Sequence, residues 1–219
     1  MRDDCVLRRK QNGGPLRRIP LSRRSHIIGF QPLTTGIAQH ESALERDFVT
    51  LTSFLDPSAS ITSQPITISY RSGTRTRRYT PDFLVRLITG RSELVEVKYG
   101  ADLCASWERL KPSFAAAALR AREEGWAFRV VTEQDIRGPA LENAKRLLPL
   151  RGAAWDTQMG ARALAVARSL TAPTFGTVLA ALPGSRALAL STIWRLIARG
   201  ALRVELSAPI TLHTPVAAI

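Results

Sequence analysis

An α/β fold is predicted for the first 150 residues of this chain, with a small, separate helical unit behind it. Two observations predict it. Up to about Leu150, short β-branched runs alternate with amphipathic or alanine-rich helical stretches, the pattern of a mixed central sheet flanked by helices. Beyond Gly152 the chain turns Ala-, Leu- and Arg-rich and keeps only Asp156 and Glu205 as acids. A length of 219 residues suffices for one medium domain and a small one.

Residues 1–24 form the first segment, a flexible basic arm. Arg2, Arg8, Arg9, Lys10, Arg17, Arg18, Arg23 and Arg24 face only Asp3 and Asp4, and Gly13-Gly14-Pro15 interrupts any regular element. The arm lacks the apolar centre of a secretory signal, and no run approaches the roughly 18 apolar residues of a membrane span, so a cytoplasmic protein without a membrane partner is expected. Residues 41–55 then read as an amphipathic helix with Leu44, Phe48, Leu51 and Leu55 in one stripe. Asp56-Pro57 ends it, and Ile61–Tyr70 follows as an extended run.

A pair of strands comes next. Phe83, Val85 and Leu87 share one face of the first, and Asp82 stands at its start, directly after Pro81. Thr89-Gly90-Arg91-Ser92 makes the turn. In Leu94–Lys98, the period of two sends Glu96 and Lys98 to one side and Val95 and Val97 into the apolar layer. A loop over Asp102–Ser106 leads into a helix, Trp107–Glu123, whose first turns Lys111-Pro112 interrupt, and Ala127–Val131 is the last strand of this part.

Asp82, Glu96 and Lys98 together have the layout of a metal-dependent nuclease. Phosphodiester hydrolysis needs charge stabilisation at phosphorus and a deprotonated water, and hard divalent cations on carboxylate oxygens supply both. Asp82 and Glu96 are the candidate ligands. Lys98 is a point charge suited to orient the water or to neutralise a phosphate oxygen. The alternative is an edge strand with a solvated Glu and Lys. A third carboxylate comes from the first helix, where Glu45 flanks the apolar stripe and Glu41, one turn earlier, is its rival.

These residues carry a family resemblance. Glu-Ser-x-Leu-Glu-Arg-Asp-Phe, Leu-Asp-Pro, Ser-Gln-Pro-Ile-x-Ile, Arg-Arg-Tyr-Thr-Pro-Asp-Phe-Leu-Val and Val-Glu-Val-Lys follow one another in the order found in TnsA, the endonuclease subunit of heteromeric transposases. Phe128–Arg137 and Leu141–Leu147 resemble the family's last core strand and the helices after it, so the resemblance runs from about Ser25 to Leu150. It implies a restriction-endonuclease-like fold of the PD-(D/E)xK type over residues 25–150. It also implies Mg²⁺, with Mn²⁺ as a substitute, held by Glu45, Asp82 and Glu96, and Lys98 as the catalytic lysine. Gln64, at the family's Gln-Pro position, either contacts the site or caps a strand. The implied role is cleavage at the 5′ ends of a transposon in double-stranded DNA, beside a DDE transposase of the TnsB type and an AAA+ ATPase of the TnsC type. A stand-alone restriction, repair or junction-resolving nuclease of the same fold is the alternative enzyme, and an idle DNA-binding adaptor between transposase and ATPase the alternative outside enzymes.

Charge agrees with a nucleic-acid partner. The chain has 31 Lys and Arg against 18 Asp and Glu, a formal charge of +13, and nearly all its cations are Arg. Arg71, Arg75, Arg77 and Arg78 crowd the turn before Asp82, where they either hold a DNA strand entering the site or keep a hairpin tip soluble. Cys5 and Cys104 form neither a zinc pair nor a disulfide framework, and His26, His40 and His213 are too dispersed for a histidine cluster, with His40 read as a helix-cap neighbour.

Residues 151–219 read as three helices, Ala161–Leu170, Thr174–Leu182 and Leu190–Arg199, and two strands, Leu202–Leu206 and Ile210–His213. That is the outline of a winged helix. Thr192, Arg195 and Arg199 would face outward on its third helix, where recognition helices contact DNA, with Trp194 and Leu196-Ile197 as core. The family resemblance implies instead that this module docks the ATPase partner.

Overall fold

In the computed structural model, which describes residues 7–8 and 29–219, the run Ser92–Val97 is an interior strand, and the first unit is organised around it. Most of the basic arm, Cys5 and His26 lie outside the described residues. The chain forms two compact units, Met1–Ile136 and Arg137–Ile219. The composition change near Leu150 thus falls inside the second unit.

The elements of the first unit are β1 (Leu7–Arg8), β2 (Gly29–Leu33), β3 (Gly36–His40), α1 (Ala43–Leu55), β4 (Ser60–Ser63), β5 (Thr67–Ser72), β6 (Arg75–Tyr79), β7 (Phe83–Arg86), β8 (Ser92–Val97), α2 (Gly100–Ala105), α3 (Trp107–Glu123), β9 (Ala127–Val131) and α4 (Glu133–Ile136). A four-stranded mixed sheet has the order β4-β7-β8-β9, antiparallel except for the parallel pair β8 and β9. β1, β5 and β6 form a three-stranded sheet, and β2 and β3 a hairpin. A mixed sheet with flanking helices is the architecture expected of a restriction-endonuclease-like core.

β7 and β8 are apolar on both faces because both faces are covered. Phe83, Leu84 and Val85 are buried, as are Leu94, Val95 and Val97. An interior strand of this kind needs a nearly continuous hydrophobic run, not strict alternation. Val95 and Val97 are buried as expected, and Leu94 is buried as well, packing with Ile66, Ile68, Leu84, Ala117 and Ala121 on the side of α3. The edge-strand alternative for Glu96 and Lys98 is removed by the position of β8 between β7 and β9. The turn contains the predicted Thr89-Gly90 but lies earlier, with Ser92 already paired in β8: Leu87 N–H donates to Arg91 O at 2.9 Å and Gly90 N–H to Leu87 O at 3.0 Å, with Gly90 at φ 83°.

α1 is capped by Ser42, whose hydroxyl accepts the Glu45 N–H, and it buries Leu44, Asp47, Phe48, Val49 and Phe54. Leu55 is 58% exposed, so the last member of the predicted stripe is wrong. The helix ends there, at the Asp56 N–H bond to Thr52 O, and Phe54 takes the inward place. Phe48 stacks on Phe83 with ring centroids 5.4 Å apart. Because Phe83 is essentially fully buried, Phe83→Ala should cost about 3–5 kcal/mol, read as a fall in the denaturant midpoint of unfolding.

Two further expectations change. Ile61–Tyr70 is not one strand: Gln64, at φ 47°, turns the chain before Pro65, and β4 and β5 enter different sheets. Asp102–Ser106 is not a loop, since α2 spans most of it, with Gly100 N–H donated to Glu133 Oε2 at 2.8 Å. His40 does neighbour the Ser42 cap, two residues away, but its side chain has a packing role as well. It is buried at the end of β3, its ring lying over Gly29, where a Cβ would come within 2.7 Å of Nε2.

The second unit comprises α5 (Pro139–Leu147), a 3-10 turn at Leu148–Leu150, α6 (Thr157–Ser169), α7 (Phe175–Ala181), α8 (Arg186–Ala198), β10 (Leu202–Arg203) and β11 (Ala217–Ala218). The predicted pairing of Leu202–Leu206 with Ile210–His213 does not form. β10 pairs instead with β11, Leu202 opposite Ala218. The intervening chain is held by other bonds: Asn143 Nδ2 donates to Leu206 O and Ala208 O, while Phe175 and Gly176 N–H groups donate to Thr214 O and Leu212 O. Nor does Thr192 face outward, for it is buried in α8. Arg199 lies over the Trp155 ring, 5.0 Å from its centroid, and donates to Ala153 O at 2.7 Å. Arg195 lines a mainly apolar groove of about 410 Å³ with Arg146, Leu150, Ala187, Leu190, Ser191 and Trp194. No described helix is long and apolar enough to cross a membrane.

Candidate active site

Backbone geometry brings the three sequence-predicted strand residues together. Asp82 immediately precedes β7, and its Oδ2 accepts the Val97 N–H of β8 at 2.8 Å. This bond ties the Pro81-Asp82 corner to the far end of the neighbouring strand. Glu96 and Lys98 share a face of β8 and its extension, with Lys98 Nζ 3.1 Å from Glu96 Oε1. Lys98 is itself fixed by its N–H bond to Val131 O at 3.0 Å.

α1 contributes the fourth residue. Glu45 is the third residue of the helix, and its carboxylate turns back over the N-terminus: Oε2 accepts the Glu41 N–H at 2.7 Å and Oε1 the Ser42 hydroxyl at 2.9 Å. Its rival Glu41 precedes the cap and accepts Gln64 Nε2 at 2.6 Å. Gln64 N–H in turn donates to Asp82 O at 2.7 Å, so Gln64 both touches the carboxylate cluster and fixes the chain where β4 ends.

Electrostatics shows how close these acids are. Burial raises the Asp82 carboxyl well above its ordinary value of 3.8, and the charges of Glu96 and Glu45 raise it further, against the Val97 N–H and Lys98. Glu45 is also raised from 4.5, first by burial and then by Glu41 and Glu96, despite its two hydrogen bonds. The charge of Lys98 does not offset this crowding of acids, a condition that a bound cation relieves.

In kind, though not in a preformed arrangement, the donors suit a hard divalent ion. They are carboxylate oxygens of Glu45, Asp82 and Glu96, and the Gln64 amide oxygen is buried without a hydrogen-bond partner. Among the described residues, no group of three or more His, Cys, Asp or Glu side chains stands as a formed metal cage. Glu45 in particular is engaged with its own helix terminus.

Sequence reasoning missed one partner of this cluster. Tyr79, the last residue of β6, donates its hydroxyl to Glu96 Oε2 at 2.6 Å. The only sequence signal for it is its place, three residues before Asp82 and in step with the exposed Arg75 and Arg77 on β6.

Tyr79 also lines a groove of about 540 Å³ between β6 and α3, together with Tyr70, Arg75, Thr76, Arg77, Arg78, Arg109, Leu110 and Ser113. Three of the four arginines predicted at the hairpin thus border one groove, and Arg109 joins them from α3. Arg71 is exposed on β5 and lies outside this lining.

Comparison of the chain with curated proteins gives no match. Residues 59–133 match the family described as TnsA-like endonuclease N terminal, a segment that contains Gln64, Tyr79, Asp82, Glu96 and Lys98. Over these residues the chain is similar to the TnsA-like endonuclease N-terminal domain.

Proposed function

We propose that this protein is the metal-dependent endonuclease subunit of a heteromeric transposase, cutting the 5′ strands at the transposon ends and leaving 5′-phosphate and 3′-hydroxyl termini. The observation that carries the reading is the pair of buried carboxylates Asp82 and Glu96 with Lys98 beside them, inside a segment matching TnsA-like endonucleases. Asp82 and Glu96 would hold Mg²⁺ or Mn²⁺, and Glu45, engaged here with its own helix terminus, would be the third ligand. The bound ion supplies charge stabilisation at the phosphate and a water of lowered pKa. Asp82, tied to Val97, and Glu96, tied to Tyr79, keep their oxygens fixed without reorganisation. Lys98 presents its ammonium to the attacked phosphate or the water, oriented by the Glu96 oxygen it touches. Arg75, Arg77, Arg78 and Arg109 hold the phosphate backbone along their groove. Arg71 extends the basic edge of the hairpin.

The partners follow from the family: a DDE transposase that acts on the 3′ strands and an AAA+ ATPase that engages the second unit. With Thr192 buried and Arg199 stacked on Trp155, base reading by α8 loses two of its residues, and protein docking is the favoured role. Strand-specific cleavage of an end-labelled transposon-end DNA in Mg²⁺ tests the reading. Cleavage of the 5′ strand that requires the transposase supports it. Nicking without the transposase assigns a stand-alone nuclease, and complex formation without any cleavage assigns an adaptor.

A further inference from the structure

We propose that Tyr79 is a positioning residue that holds the Glu96 carboxylate ready for the divalent cation. The inference rests on the reading of Glu96 as a metal ligand. Glu96 is only 5% exposed, and each of its oxygens is held by a different element: Oε2 by the Tyr79 hydroxyl at 2.6 Å, Oε1 by Lys98 Nζ at 3.1 Å. A carboxylate oxygen has about two acceptor sites, so each oxygen keeps one for a ligand. The two donors differ in kind. Lys98 opposes a cation with its charge, whereas the Tyr79 hydroxyl is neutral and fixes the carboxylate without repelling the ion.

The donor is rigid. Tyr79 pairs with Ile68 across β5 and β6, and its ring packs against Phe114 of α3 at a centroid distance of 6.0 Å. Its ring also rests on the cluster formed by Ile68, Leu84 and Leu94. A ligand held by such a partner does not have to be ordered when the ion arrives, and loss of a partner of this type costs about 10- to 100-fold in metal affinity or activity.

The test is Mn²⁺ binding by the full chain, read from the electron paramagnetic resonance of free Mn²⁺, for wild type, Tyr79→Phe, Glu96→Gln and the double variant. Tyr79→Phe keeps the packed ring, and a thermal melt checks that it is folded. We expect Tyr79→Phe to weaken Mn²⁺ binding about 10-fold. The Mg²⁺ needed for half-maximal cleavage, with the transposase present, should rise by a similar factor, and cleavage at saturating Mg²⁺ should recover to within a few-fold of wild type. In the double variant, Tyr79→Phe should add no loss beyond Glu96→Gln. Wild-type affinity in a folded Tyr79→Phe, or full additivity in the double variant, overturns the role of Tyr79 while leaving Glu96 a ligand. Wild-type Mn²⁺ affinity in Glu96→Gln overturns the metal reading and this inference with it.

Discussion

Asp82→Ala and Lys98→Ala should each abolish 5′-strand cleavage and leave DNA retention nearly intact. The two losses have different origins. Asp82 is a buried carboxylate whose position is set by the Val97 N–H, so alanine removes a cation ligand that no neighbour replaces. Lys98 is partly exposed and acts through charge; losing one such electrostatic donor costs about 10²- to 10³-fold in rate. DNA retention should depend chiefly on the basic surface, which neither substitution touches beyond a single charge. Gel-shift and cleavage assays on the same labelled DNA separate the two effects. Normal cutting by either variant would show that the assigned residues are not the site.

Asp82→Asn, by contrast, should stabilise the metal-free protein as it removes activity. In the fold the Asp82 carboxyl is raised above its ordinary value of 3.8, so the folded chain binds that proton more tightly than the unfolded chain does. Its stabilising contribution is therefore fully present below the ordinary value and is lost as pH rises through the raised one. Glu45, raised from 4.5, acts in the same direction. In chelator, the wild-type Tm should fall as pH rises above the ordinary carboxylate range, and Asp82→Asn should flatten that fall. Each kcal/mol recovered corresponds to roughly 2–4 °C in a chain of this size. Mg²⁺ should raise the wild-type Tm, because a ligand of the folded state stabilises it, and should do little for the variant. A wild-type Tm that rises across this pH range would contradict the crowding of acids.

Local pattern made part of this site legible and left part hidden. The pairing of Glu96 with Lys98 follows from the period of two along β8, and Asp82 is marked by Pro81 at the start of β7. Both are properties of a few adjacent residues. Tyr79 was not legible in the same way, because a tyrosine at a strand end has many uses and its contact with Glu96 depends on how β6 passes the mixed sheet. The break at Gln64 hides for a related reason. Pro65 signals an interruption, but a non-glycine residue at φ 47° is set by its surroundings, here Glu41 and Asp82. In the second unit, Leu202–Leu206 has real strand character, yet its partner is Ala217–Ala218 because Asn143 and the N-terminus of α7 hold the chain between. Pairing of that range is decided by tertiary bonds and not by propensity.

The placement of a divalent cation among Asp82, Glu96 and Glu45 is tested most directly by anomalous X-ray scattering from crystals of the full chain soaked in Mn²⁺. A peak within coordinating distance of Asp82 and Glu96 carboxylate oxygens, lost in Asp82→Ala crystals, is the predicted result. A well-ordered site with no peak there, in crystals of a protein that cleaves DNA in Mn²⁺, would contradict it.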